Sequence, residues 1–169
     1  MKKMTWFYVG ILAFAVAAIG CSSQSASMPK ADFVAQLSGD DEVPPVSTSA
    51  TGTASFWLSP DGTKIRFNLT VGGVKDLTEA ELYLGARGDN NHGVPIVWLY
   101  PDIGPAERLG GVSDGTVSQF SFGADKLANQ MAGKTISDLI AAIRANNVYV
   151  NVHSSQHPGG LIRGQLSQP

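Results

Sequence analysis

Val148-Tyr149-Val150-Asn151-Val152-His153, then Ser154-Ser155-Gln156-His157-Pro158-Gly159-Gly160, then Leu161-Ile162-Arg163-Gly164-Gln165-Leu166, is the stretch that decides the fold. Val148, Val150 and Val152 alternate with Tyr149, Asn151 and His153, which predicts a β-strand with one apolar and one polar face. Ile162, Gly164 and Leu166 alternate in the same way with Leu161, Arg163 and Gln165. Pro158-Gly159-Gly160 supplies the reversal, because proline fixes φ and glycine permits φ > 0. The two runs therefore predict a hairpin. Only 15% of the chain is charged, so the polar row Tyr149, Asn151, His153, Arg163 and Gln165 stands out as a place for chemistry or for internal bonding.

Working outward, Phe33, Ala35 and Leu37 alternate with Val34 and Gln36 to give a short first strand. Asp40, Asp41 and Glu42 follow, then Pro44-Pro45, which excludes a central ladder strand and makes the acids a solvated turn. A Ca²⁺ loop would need a fuller set of oxygen ligands at regular spacing. Residues 51–59 and 64–71 predict a hairpin across Pro60-Asp61-Gly62-Thr63, with Ile65, Phe67, Leu69 and Val71 inward. Gly72-Gly73 is expected to break the chain. A strand over 78–84 then sends Ala80, Leu82 and Leu84 inward and Glu79, Glu81 and Tyr83 outward. Residues 85–93, including His92, read as a long, mobile hairpin tip. Val94 to Tyr100 is apolar on both faces and is expected deep in the structure, with Trp98 buried and Pro95 confining the start to an edge. Thr116 to Phe122 reads as another strand, and Ala124 to Met131 as one or two helical turns. Ser137 to Ala145 predicts the one clear helix, capped by Ser137 and ended by Asn146-Asn147. Seven or eight short strands with one short helix near the C-terminus predict an all-β antiparallel sandwich or Greek-key barrel.

Two of these stretches carry a family resemblance. YVNVHSSQHPGGLIRGQL resembles the closing motif of the chordin-type (CHRD) domain, YVNVHT, a Pro/Gly loop, then GEIRGQ. The opening FVAQLSGDDEVPPV at residues 33–46 and TGTA at 51–54 resemble the start of the same domain. The resemblance spans about residues 32 to 166 and implies the all-β class already read from periodicity. Two positions depart from the pattern. Glu81-Leu82-Tyr83-Leu84-Gly85 stands where the family commonly has His-Ile-His-x-Gly, and Leu161 stands where it has glutamate. A polar site that relatives build from those side chains lacks them here.

The first residues read as a targeting signal. Lys2 and Lys3 form a positive start, residues 6–19 an apolar run short for a bilayer, and Ala18-Ile19-Gly20 leads into Cys21. This is the pattern of a bacterial lipoprotein signal (1–20), with Cys21 as the lipid-bearing residue and 21–31 as a Ser-rich tether. The domain proper is 32–167. The alternative is an ordinary secretory signal with Cys21 incidental. As the sole cysteine, Cys21 has no partner for an internal disulfide. Ser22 resembles lipoproteins sent to the outer membrane. Removal of residues 1–20 takes Lys2 and Lys3 with it, so the charge becomes 10 − 14 = −4. With no basic stripe, nucleic acid is not an expected partner.

The candidate polar site comprises Glu81, Tyr83, His153, His157 and Arg163. Resemblance to the family's His-rich strand suggests that the Glu81 strand lies beside the His153 strand. Zn²⁺ or Cu²⁺ could accept Glu81, His153 and His157, although no spacing rule requires it. The plainer expectation is that His153 bonds a backbone group to pin the loop, and that Arg163 clamps Glu81 or Glu79 across strands. No Gly-x-Ser-x-Gly elbow, phosphate-cradling loop or His-Glu-x-x-His helix occurs, so no enzyme is expected and no cofactor is required. The leading expectation is a lipid-anchored, non-enzymatic binding or structural module of the cell envelope, with an envelope protein or matrix ligand as partner. The competing ones are a small copper- or zinc-binding protein, and a carbohydrate-binding sandwich using an exposed Trp57, Trp98 or Tyr100.

Overall fold

The computed structural model describes residues 29–89, 93–101 and 112–169. Eight strands form one antiparallel sheet: β1 (Phe33–Ser38), β2 (Thr51–Leu58), β3 (Ile65–Lys75), β4 (Leu77–Leu84), β5 (Val97–Tyr100), β6 (Val112–Phe122), β7 (Val148–Ser154) and β8 (Ile162–Gln165). Their lateral order is β5-β4-β7-β8-β1-β2-β3-β6. The edge strands β5 and β6 approach each other within 8 Å, Cα to Cα, so the sheet rolls into a nearly closed barrel. One helix, α1 (Ile136–Arg144), precedes β7. The all-β expectation holds.

Strand alternation decides what fills the barrel. Phe33, Ala35 and Leu37 of β1, Phe56 of β2, and Ile65, Phe67 and Leu69 of β3 are all buried, as are Val148, Val150 and Val152 of β7. They form a single core with Ile136, Leu139, Ile140 and Ile143 from α1, which is the apolar stripe a surface helix buries. Phe67 anchors an aromatic group, meeting Phe120 edge-on with centroids 4.6 Å apart and stacking on Phe56 at 5.8 Å.

The organising hairpin is observed as β7–β8, with Tyr149 opposite Gln165 and Asn151 opposite Arg163. It is not at the sheet's margin. β8 lies between β7 and β1, and Ser38 is paired with Arg163. Gly164 is required by this crowding: a Cβ there would run into the carbonyl oxygen of Gln36, closer than real Cβ contacts come.

Four local expectations are corrected. β3 does not stop at Gly72-Gly73 but continues to Lys75 through an irregularity between Val71 and Val74, since Gly73 at φ 69° bulges a strand without ending it. β5 is a four-residue edge strand, and its run is deep as expected at Ile96, Val97 and Leu99 but not along its whole length. Pro95 donates no N–H, bonding to β4 starts with the Ile96 N–H donating to the Leu82 carbonyl at 2.8 Å, Val94 is 49% exposed, and Trp98, expected buried, is half-buried. α1 begins one residue earlier, with Thr135 as its cap: Asp138 N–H donates to Thr135 Oγ1 at 3.2 Å, while Asp138 Oδ2 accepts from the Thr135 N–H at 2.8 Å. That reciprocal pair satisfies two end donors, which Ser137 inside the helix cannot do. Finally, Glu42 is not solvated but 4% exposed. Asn146 at φ 55° ends α1 in the left-handed conformation, as expected.

Substituting Gly164 with alanine should force β8 away from β1. We expect a loss of about 3 kcal/mol, read as a lowered urea midpoint at unchanged slope; an unaltered midpoint would show that the two strands are not held this closely.

Candidate functional site

The polar faces of β4, β7 and β8 line up in rows across the sheet. Glu81 pairs with Asn151, and Asn151 with Arg163; Tyr83 pairs with Tyr149, and Tyr149 with Gln165; Glu79 pairs with His153. This face is covered, with Glu81, Tyr83, Asn151, His153, Arg163 and Gln165 all buried. The cover has two parts. The segment after β1 turns back through Gly39, whose carbonyl accepts from Glu42 and Val46, and delivers Glu42. The loop after β4 folds over Arg163, and Arg87 in it pairs with Asp41 of the first segment.

Arg163 does not clamp Glu81 or Glu79. Its guanidinium donates to the carbonyls of Asp89 (2.9 Å) and Ala86 (3.0 Å) and stacks 3.6 Å over the Tyr149 ring. A planar fork suits two carbonyls and an aromatic face at once, where an ammonium would not. Gln165 acts similarly, its amide donating to the carbonyls of Gly85, Asn146 and Val148 at 2.8–3.1 Å. Tyr83 stacks on Tyr149 with centroids 5.3 Å apart.

His153 does pin its loop: Nδ1 lies 3.0 Å from the Pro158 carbonyl. A carbonyl only accepts, so Nδ1 carries the proton. That leaves Nε2 facing the Tyr83 hydroxyl at 3.4 Å and Glu81 Oε2 at 3.2 Å. Glu42 and Asn151 meet above Gly160, where a Cβ would come within 2.5 Å of Glu42 Oε1 and 2.6 Å of Asn151 Nδ2; the Asn151 amide bonds the Glu42 carboxylate. Gly160 sits at φ 131°, so glycine is required twice over.

The cluster holds more acceptors than donors. Glu42 Oε1, Glu81 Oε1 and Asn151 Oδ1 are buried without a hydrogen-bond partner, and Glu81 Oε2 has only the His153 imidazole, which favours adding protons. Burial pushes Glu42 up to about 7 against the opposing pull of His153 and Arg163. Burial likewise raises Glu81 to about 7, with His153 opposing. For His153, burial acts downward, but the hydrogen bond and charge of Glu81 outweigh it and the imidazole is raised. The Tyr83 phenol is pushed up by burial and then by Glu81.

The structure thus brings together Glu81, Tyr83, His153 and Arg163, and adds Glu42, which was read as a solvated acid. The only sequence signal for Glu42 was its place in the opening motif. His157 is elsewhere, on a surface cleft with Lys75. Among the described residues no three His, Cys, Asp or Glu side chains group as a metal-ligand set. Trp57 is half-buried, donates its indole N–H to the Pro29 carbonyl at 2.8 Å and lies under Arg66. Cys21 and His92 lie outside the described residues.

A nearly closed antiparallel barrel with one polar face turned inward against its own loops defines an all-β domain whose motif side chains serve as struts. The CHRD domain family model matches residues 33–166, and the chain belongs to that family. Searches of curated proteins and of solved structures find no match.

Two outcomes follow from the geometry. Glu42 and Glu81 hold protons to about pH 7 when folded, whereas an unfolded glutamate releases its proton near 4.5. The folded state therefore binds more protons between those values, and stability falls as pH rises through that window. Raised His153 acts in the same sense above its ordinary value. The urea midpoint should be higher at about pH 5 than at about pH 8, with the difference reduced in Glu42→Gln and Glu81→Gln; a midpoint that climbs with pH would refute the protonated cluster. Arg163→Lys should cost about 2–3 kcal/mol and speed amide hydrogen exchange in residues 85–89, whereas unchanged exchange there would rule out Arg163 as the loop's anchor.

Proposed function

We propose that this chain is a lipid-anchored, non-enzymatic CHRD-domain module of the bacterial cell envelope. Cys21 carries the lipid, residues 22–30 form the tether, and Ser22 directs the protein to the outer membrane. The observation that carries the non-enzymatic reading is where the motif side chains spend their hydrogen bonds. Arg163, Gln165 and His153 aim at main-chain carbonyls of Ala86, Asp89, Gly85, Asn146, Val148 and Pro158. Groups committed in this way shape loops and are not presented to a substrate. Shaped loops on a rigid barrel are how binding modules display contact surfaces, so the partner is an envelope protein or matrix component.

A second reading, a small copper- or zinc-handling protein, draws support from the 3.2 Å approach of Glu81 to His153, with His157 left outside that pair on its own surface cleft. One carboxylate and one imidazole are half of a tetrahedral set.

Labelled palmitate fed to cells making the full chain should enter the protein and should not enter Cys21→Ala, which should also leave the membrane fraction. Equal labelling of both, or of neither, would end the anchor. Elemental analysis after exposure to copper and zinc is expected to find less than stoichiometric metal; one equivalent that disappears in His153→Ala would replace the module reading with the metal one.

A further inference from the structure

His157 is absent from the buried cluster because its turn carries it to another part of the surface. There it lines an open cleft of about 320 Å³ together with Ser154, Gln156 and Lys75, while residues 47–49, Gly73 and the apolar Leu161 complete the wall. Three separate segments meet at this cleft: the run before β2, the end of β3 and the β7–β8 turn. No carboxylate lines it. Lys75 and residues 47–49 are exposed and His157 is half-buried, so the rim is within reach of a solute, while Ser154, 2% exposed, lies at the floor.

The hydrogen bonding inside the wall fixes its polarity. Thr48 Oγ1 accepts from the Ala50 N–H at 3.1 Å, and Ser154 Oγ accepts from the His157 N–H at 3.2 Å. A hydroxyl that accepts from the backbone still has its one proton to donate. The Lys75 ammonium has donors only, and the His157 ring and Gln156 amide add N–H groups. Two carboxylates stand nearby without lining the cleft. Asp76 follows Lys75 in the chain, and Asp114 Oδ1 accepts from the Gly73 N–H at 2.8 Å. In a domain of net negative charge, this is a concave, carboxylate-free surface rich in donors.

We propose that this cleft binds an oxyanion group, the shared chemistry of a phosphate, a sulfate or a sugar carboxylate carried on a larger envelope molecule. Lys75 supplies the positive charge, His157 and the Ser154 and Thr48 hydroxyls supply directed hydrogen bonds, and the absence of a lining carboxylate lowers the repulsion that Asp76, Asp114 and the domain's net charge exert. The site is separate from the buried Glu42–Glu81–His153 cluster and does not depend on Cys21.

The test is a titration of the isotope-labelled full chain in nonionic detergent with inorganic phosphate, sulfate and glucuronate separately, followed by amide chemical shifts. Saturable shifts confined to residues 47–49, 73–75 and 154–157 are expected at millimolar anion, and the order of the three affinities identifies the carrier. Lys75→Gln should weaken binding on the order of tenfold, and His157→Gln should weaken it less. Both positions are on the surface, so melting temperatures should match the parent. Absence of saturable shifts with all three anions up to about 100 mM, or full affinity retained in both variants, would overturn the proposal while leaving the anchored-module reading intact.

Discussion

The guanidinium of Arg163, stacked on Tyr149 and bonded to the carbonyls of Ala86 and Asp89, is the contact on which the rest of the site depends. It stands on β8, the strand that joins the first and last parts of the chain. A charge this deeply buried is costly unless every face of it is engaged. Here the plane is engaged by the ring and the fork by two carbonyls. The first residues of the loop after β4 are therefore drawn back across the sheet, over Arg163 and beside the Tyr149 ring.

The domain has two interiors built on different rules. Inside the barrel, alternate Val, Phe, Leu and Ile side chains pack as an ordinary core. On the other face of β4, β7 and β8, polar side chains do the covering, each fixed to main chain or to a neighbour. Fixed polar networks impose one geometry where apolar contacts tolerate several. The cluster is also short of donors, and protonation near neutrality is its remedy. Glu42, Glu81 and His153 thus tie the barrel's outer layer to the acidity of its surroundings.

Most of the barrel was legible because period-2 alternation is a direct imprint of one buried face. The Val148–His153 and Ile162–Leu166 runs, the hairpin at 51–71 and the α1 stripe all appear as read. What failed had a common physical source: alternation says which residues share a face, not whether that face is later covered. Glu42 looked like a third solvated acid beside Asp40 and Asp41, and only its fold-back over Gly160 makes it internal. Arg163 was expected to seek a carboxylate, yet two carbonyls from a loop more than seventy residues earlier reached it first. The deep placement of Val94 to Tyr100 holds at Ile96, Val97 and Leu99 and fails at Val94 and Trp98, because composition does not say that the strand ends a sheet with one side open. The convergence of Glu81, Tyr83 and His153 was reached through the resemblance, not through any spacing in the chain.

β8 is bordered on one side by β7 and on the other by β1, so the last of the described strands is an internal stave and not a trailing edge. Until residues 162–165 emerge, β1 lacks one neighbour and β7 lacks another, and the barrel is left with an open seam. Contacts between chain ends are entropically slow to form. A chain growing from its N-terminus therefore keeps this seam open until residues 162–165 follow, a delay written into strand order that needs no separate device to hold folding back.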